Sequence, residues 1–170
     1  MTHATVIKPN RLCRSLRQVD RVPGFARGWA RNLVLHRAVP FTGTADLNFV
    51  VMSPQRVEVA LANHRRVQNH IRGVHAAAMA LLAETATGMV IGMNVRDDCL
   101  PLAKQFSVSF KKRTQGALRA VATLTDPQRA QMQQANKGEL TVNVQVSDES
   151  GSEPIECEFI WAWIPAGPHP

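Results

Sequence analysis

Between His75 and Met93 the chain carries one charged side chain, Glu84. The run from Ala76 to Met93 is 18 residues long, close to the length of a bilayer-spanning helix. An acid at its centre would be costly in lipid. Ala, Thr and Gly also outnumber Leu and Ile, and the sequence holds no second such run. The segment therefore reads as a helix buried inside a domain. A helix apolar nearly all round must be covered on most sides. That requirement constrains the fold more than any other feature of the chain. It also singles out Glu84, because a buried carboxylate is costly unless something compensates it. Acids so placed are candidates for active-site chemistry.

The rest of the sequence supplies the cover. Phe41, Gly43, Ala45, Leu47, Phe49 and Val51 alternate with Thr42, Thr44, Asp46 and Asn48, the period of a half-buried strand. Ser53-Pro54-Gln55 turns the chain into a second strand, Val57, Val59 and Leu61, giving a hairpin. A polar loop over 63–73 leads into the long helix. After it come Phe106, Val108 and Phe110, then a turn at Gly116 and a strand over Ala117–Leu124. Asp126, as a cap followed by Pro127, predicts a short helix to about Ala135, ended by Gly138. Leu140, Val142, Val144 and Val146 alternate cleanly, and Ile155, Cys157, Phe159, Trp161 and Trp163 form the last strand. The two tryptophans of that strand read as packing or interface residues.

The N-terminal part differs. Residues 1–10 read as a flexible arm and 11–36 as a helical extension broken at Pro23-Gly24. Its first piece has Leu12, Leu16 and Val19 at helical spacing. Its second, Phe25–His36, carries Trp29, Leu33 and His36 on one face, with the arginines toward solvent. The tail from Pro165 reads as loose. Alternation of this kind suits an antiparallel sheet with one face buried. The expected architecture is α+β, a curved antiparallel sheet of about six strands wrapped around a long central helix. It forms a single domain over 1–170 with its core at about 40–164.

Net charge is +7 and the sequence pI about 10.2. Such a balance attracts nucleic acid, anionic lipid, an acidic carrier protein or a phosphate-bearing cofactor, or else forms a solvated cationic surface. No aromatic-basic motif supports nucleic acid, and the long apolar run does not support a membrane span. Neither partner is expected. Cys13, Cys99 and Cys157 are widely spaced with no CxxC pair, which indicates neither a zinc site nor a disulfide framework. Arg11, Arg14, Arg17 and Arg21 lie near the start without the apolar core of a signal peptide. A reducing, cytoplasmic setting is expected, with no metal and no resident cofactor.

One constellation carries chemistry. Asn69 precedes His75 by six residues, and Glu84 follows His75 by nine. These spacings, with Leu82-Ala83-Glu84 and the turn Phe110-Lys111-Lys112-Arg113-Thr114-Gln115-Gly116, resemble hotdog-fold thioesterases over about residues 40–164. The likeness is strongest to the branch that includes phenylacetyl-CoA thioesterase. That branch has Leu-Ala-Asp or a similar acid where Glu84 stands, and Gly-Gly where this chain has Ala76-Ala77. The resemblance implies hydrolysis of an acyl-CoA or acyl-carrier thioester, with coenzyme A present only as part of the substrate. A backbone N–H at Ala76-Ala77 would bind the thioester oxygen. Glu84 would be base or nucleophile, Asn69 would position the carbonyl or the water, and His75 would orient the loop or bind oxygen. Lys111, Lys112 and Arg113 suit cofactor phosphates, or form a solvated turn.

Helix geometry adds a condition. Ala76 and Glu84 are eight residues apart, roughly 12 Å along a helix at about 1.5 Å per residue. Groups that react must lie around 3 Å from the same atoms. One helix cannot supply both, but two copies about a two-fold axis can. A homodimer or dimer of dimers is expected, with Glu84 of one chain facing Asn69 and Ala76 of the other. The bland readings are that Glu84 is a buried acid bonded to backbone and that Asn69 caps a turn. The alternative function is a non-catalytic hotdog protein that binds an acyl ligand.

Overall fold

The structure is a computed structural model and describes residues 8–19 and 21–167. Most of the expected arm and the last prolines of the expected loose tail lie outside the described residues.

Three helices open the fold: α1, Arg11–Val19; α2, Gly24–Ala38; and α3, Pro40–Thr44. The break at Pro23-Gly24 falls where the sequence puts it. Asn10 departs from the flexible-arm expectation, because its side chain is buried and donates to the carbonyls of Gly92 and Val95, both at 2.7 Å. Its Oδ1 also accepts from Cys13 N at 3.0 Å, so it caps α1 while pinning it to the domain.

Helix α3 corrects the first predicted strand. Phe41 to Ala45 show a period of two, yet Pro40 opens a helix, where its missing N–H is no loss. The Thr42 hydroxyl donates to Val39 O at 2.7 Å. Asp46 takes a left-handed φ of 55° and ends the turn. Gly43 lets α2 come close, since a Cβ there would lie 3.1 Å from His36 Cβ, a tight contact. The strand proper begins at Asn48.

Six strands follow: β1, Asn48–Met52; β2, Arg56–Leu61; β3, Cys99–Phe110; β4, Leu118–Thr123; β5, Gly138–Asp148; and β6, Ile155–Pro165. They form one antiparallel sheet in the order β1-β2-β4-β5-β6-β3. The long helix, α4, Ala76–Gly92, packs on the concave face. Its Leu82, Ala83, Ala86, Val90 and Ile91 are fully buried against Phe49, Val59, Leu61, Ala120 and Phe159 of the sheet. This is the hotdog fold that the resemblance implies. No helix among the described residues is long and apolar enough to cross a membrane.

A short helix α5, Asp126–Gln134, lies between β4 and β5. Its cap is Thr125, one residue earlier than the sequence suggests. The Thr125 side chain accepts from Gln128 N, and the Gln128 side chain answers to Thr125 N at 2.9 Å, a reciprocal capping box. Trp161 and Trp163 are buried as packing residues.

Candidate active site

The turn before α4 is built by Asn69. Its Oδ1 accepts from Ile71 N at 3.0 Å and from Gly73 N at 3.1 Å. Backbone bonds Asn69 N to Gly73 O, 2.9 Å, and Arg72 N to Asn69 O, 3.0 Å, close the loop. Arg72 sits at a left-handed φ of 63°. Asn69 does cap a turn, and its Nδ2 stays without an acceptor among the described residues.

His75 is the N-cap of α4. Its Nδ1 accepts from Ala77 N at 3.0 Å, so the proton of a neutral ring sits on Nε2. Its own N–H donates to Val67 O at 2.8 Å and fixes the entry of the helix. The Ala78 and Met79 N–H groups donate to His75 O. Of the first-turn donors, the Ala76 N–H alone has no acceptor among the described residues. A free N–H at the positive end of a 17-residue helix suits a developing negative charge on oxygen.

A cleft of about 370 Å³ brings Asn69 and Ala76 together with Arg72, Lys112 and Arg113. Thr114 holds it in shape: its hydroxyl accepts from Val74 N at 3.2 Å, which ties the Lys111–Gly116 loop to the turn. A side chain at Gly73 would press on that hydroxyl at 3.1 Å. Arg72 and Thr114 escape a reading by spacing, because the turn and the loop are 40 residues apart at the Val74–Thr114 bond. Lys111 does not line this cleft; its Nζ pairs with Glu156 at 2.9 Å. His75 and Ala77 line a neighbouring pocket of about 200 Å³ with Phe41 and Leu81.

Glu84 lies elsewhere on α4. It is half-buried and makes neither a salt bridge nor a backbone hydrogen bond through its carboxylate among the described residues. Burial raises its pKa above the ordinary carboxylate value, and the adjacent Thr85 hydroxyl offsets this only in part. That hydroxyl, itself buried, is outside hydrogen-bonding geometry. The Glu84 carboxylate lies beside Gly88, where a Cβ would stand 3.8 Å from Oε1 and 2.9 Å from Trp161 Cη2. Trp161 is held there by its Nε1, which donates to Thr87 Oγ1 at 3.0 Å. Glu84 does not join Asn69 and Ala76 in the cleft of its own chain.

The family model described as "Domain of unknown function (DUF4442)" matches residues 28–164. No protein of curated function matches the chain. Among solved structures, a Pseudomonas aeruginosa protein of unknown function, named a "Probable Thioesterase", superposes with a TM-score of 0.70 at 21% identity, over 77% of this chain and 91% of that one. A thioesterase from Haemophilus influenzae gives 0.64 at 11% identity, over 76% and 85%. A variant of a thioesterase enzyme from Staphylococcus aureus gives 0.64 at 13%, over 75% and 100%. At such identities the likeness is one of fold.

Proposed function

The chain belongs to the DUF4442 family and has the thioesterase-like hotdog fold, and from that premise we propose that it hydrolyses an acyl-CoA or acyl-carrier thioester at a site shared by two copies. The observation that carries the reading is the cleft in which a free Ala76 N–H, the Asn69 amide and three cations converge. The N–H and the helix dipole favour the oxyanion of a tetrahedral intermediate. Asn69 Nδ2 is a second donor for the carbonyl or the attacking water. Lys112, Arg113 and Arg72 suit the phosphates of coenzyme A.

The missing carboxylate comes from the second copy. β3 is an edge strand paired only with β6. Phe106 stacks on the buried Phe159, ring centroids 5.3 Å apart, so this side of β3 faces the core. Yet Phe106 and Phe110, which share that face, remain 53% exposed, and Leu100 and Leu102, set on the opposite face by the register irregularity between Ala103 and Gln105, are exposed as well. A free edge with exposed apolar side chains is a surface that chains cover. A second copy docked there sets its α4 beside this one. Glu84 of one chain then reaches Asn69 and Ala76 of the other. As a base, Glu84 takes a proton from water while the hydroxide adds to the carbonyl carbon. The C–S bond breaks, the thiolate recovers the proton, and acid and thiol leave. As a nucleophile, it forms an anhydride that water opens, with the same products.

The test is a panel of aliphatic and aromatic acyl-CoAs with detection of free thiol. Wild type turns over at least one class, and Glu84→Gln loses about 10²–10⁴-fold, the usual worth of a general base. A second reading, a non-catalytic acyl-ligand binder, rests on Ala76, whose methyl group lines the cleft. Saturable acyl-CoA binding with no turnover across the panel would establish it instead.

A further inference from the structure

All of the net charge sits at one end of the chain. Residues 1–44 hold eight Lys and Arg against one Asp, a balance of +7, and residues 45–170 hold twelve of each sign. The hotdog sheet and its central helix are thus neutral as a unit, and the helical layer ahead of them is strongly cationic.

That layer also exposes large apolar side chains. α2 rests on the domain through Leu35, Asn32, Arg31 and His36. Leu35 is 2% exposed, Asn32 Oδ1 accepts from Phe49 N, Arg31 donates to Val50 O, and His36 bonds Leu47 O. The same helix turns Phe25, Trp29 and Leu33 outward, at 94%, 70% and 41% exposure. These residues are four apart, so they form a single stripe. The next position along it is Arg37, and Arg21 stands just before the helix; both are exposed. The sequence places Trp29, Leu33 and His36 on one face. The structure divides them, with His36 turned to the sheet and the other two to solvent.

We propose that α2 lies on the surface of an anionic phospholipid bilayer, with Phe25, Trp29 and Leu33 at the level of the acyl-chain boundary and the flanking arginines on lipid phosphates. A helix with Phe, Trp and Leu on one face and cations beside it has the make-up of an interfacial helix. Arginine near such a membrane gains from its negative surface potential. Charge complementarity selects this occupant over a second copy of the chain, because stacking two such layers sets +7 against +7. It selects lipid over an acidic carrier protein because a nearly bare phenylalanine and tryptophan need an apolar medium, not only counter-charge. The expectation of no membrane partner is drawn from α4 as a spanning helix. A helix lying on the surface is a different geometry, and it does not rest on the proposed hydrolysis.

The chain has three tryptophans, of which Trp161 and Trp163 are buried, so lipid contact is read through Trp29. The experiment is sedimentation with vesicles of phosphatidylglycerol and phosphatidylcholine, against phosphatidylcholine alone, at 0.1 M salt. The full chain should bind the anionic vesicles, with Trp29 emission shifted to the blue and quenched by brominated acyl chains. Phe25→Ser with Trp29→Ser should weaken binding at least about tenfold, and Arg21→Gln with Arg37→Gln should erase the preference for anionic lipid. Neither pair touches the core, and circular dichroism checks that each folds. The proposal is overturned by equal binding of wild type and the Phe25/Trp29 variant, or by no binding to anionic vesicles. It is also overturned if Trp29 in the purified protein is closed to an aqueous quencher, which would mean that another copy already covers the stripe.

Discussion

Glu84 is a carboxylate that burial holds above its ordinary pKa, offset only in part by the Thr85 hydroxyl, and two opposite pH effects follow. In the unfolded chain the acid ionises at its usual value, so the folded state binds its proton more tightly. Its contribution to stability is whole below the unfolded pKa and is lost as pH rises through the folded one. At neutral pH the ionised side chain opposes folding. Glu84→Gln should therefore melt above wild type at pH 8, and the difference should shrink at pH 4, where both side chains are neutral. Activity should run the other way, falling as pH drops through the raised pKa, because a base must be ionised. Thermal melts at the two pH values and a pH–rate profile check both; a glutamine variant that melts lower at pH 8 would sink the argument. His75 carries a separate expectation. As the acceptor for Ala77 N, its replacement by Ala should cost about 1 kcal/mol, or roughly 2–4 °C in Tm, and His75→Ser should recover most of it. Spacing made Asn69, His75 and Glu84 visible as a set. It could not show that His75 occupies the Ala77 N–H and so leaves Ala76 as the free donor, since that depends on a ring rotamer.

At the scale of elements, periodicity worked where one face of a strand meets the core and failed where it does not. β5 and β6 alternate because Leu140, Val142, Ile155, Phe159 and Trp163 all point at α4 or its neighbours. The apparent strand at Phe41–Ala45 alternates only because Gly43 and Ala45 count as apolar, and Pro40 with the close approach of α2 turns it into α3. β3 runs back to Cys99 through Pro101, longer than alternation indicates, because an edge strand tolerates proline. Gly138 shows what the pattern conceals. It reads as a helix stop, yet it is the first residue of β5, and a Cβ there would lie 2.4 Å from Cζ2 of the fully buried Trp163. The indole is fixed by its Nε1 bond to Ala135 O at 3.0 Å and has little room to yield. Gly138→Ala should cost about 1–3 kcal/mol through overpacking, seen as a lower denaturation midpoint with unchanged slope. A neutral result would mean that the ring shifts freely and that the glycine serves only the turn.

For the whole molecule, the question is why the proposed catalytic set should be divided along one helix. Ala76 and Glu84 are held on a rigid rod, so no rearrangement of one chain closes the roughly 12 Å between them. In the proposed two-fold dimer the two halves meet across the axis, and the exposed Phe106 and Phe110 of β3 are covered in the same contact. Assembly and chemistry should then fail together. Phe106→Lys, placed at that exposed apolar edge, should shift the protein from about twice its 18.7 kDa chain mass toward one chain in light scattering, and activity should fall with it. A stricter prediction separates a shared site from a merely dimeric one. Asn69→Ala and Glu84→Gln chains should each be inactive alone, because each leaves both sites lacking one member. Unfolded and refolded together in equal amounts, half of the dimers carry one chain of each kind. In those, one site has lost both groups and the other has kept both. The mixture should regain about a quarter of wild-type turnover by statistical pairing. Recovery to that level requires Asn69 and Glu84 to act across the two-fold axis, and no recovery would assign the whole site to a single chain.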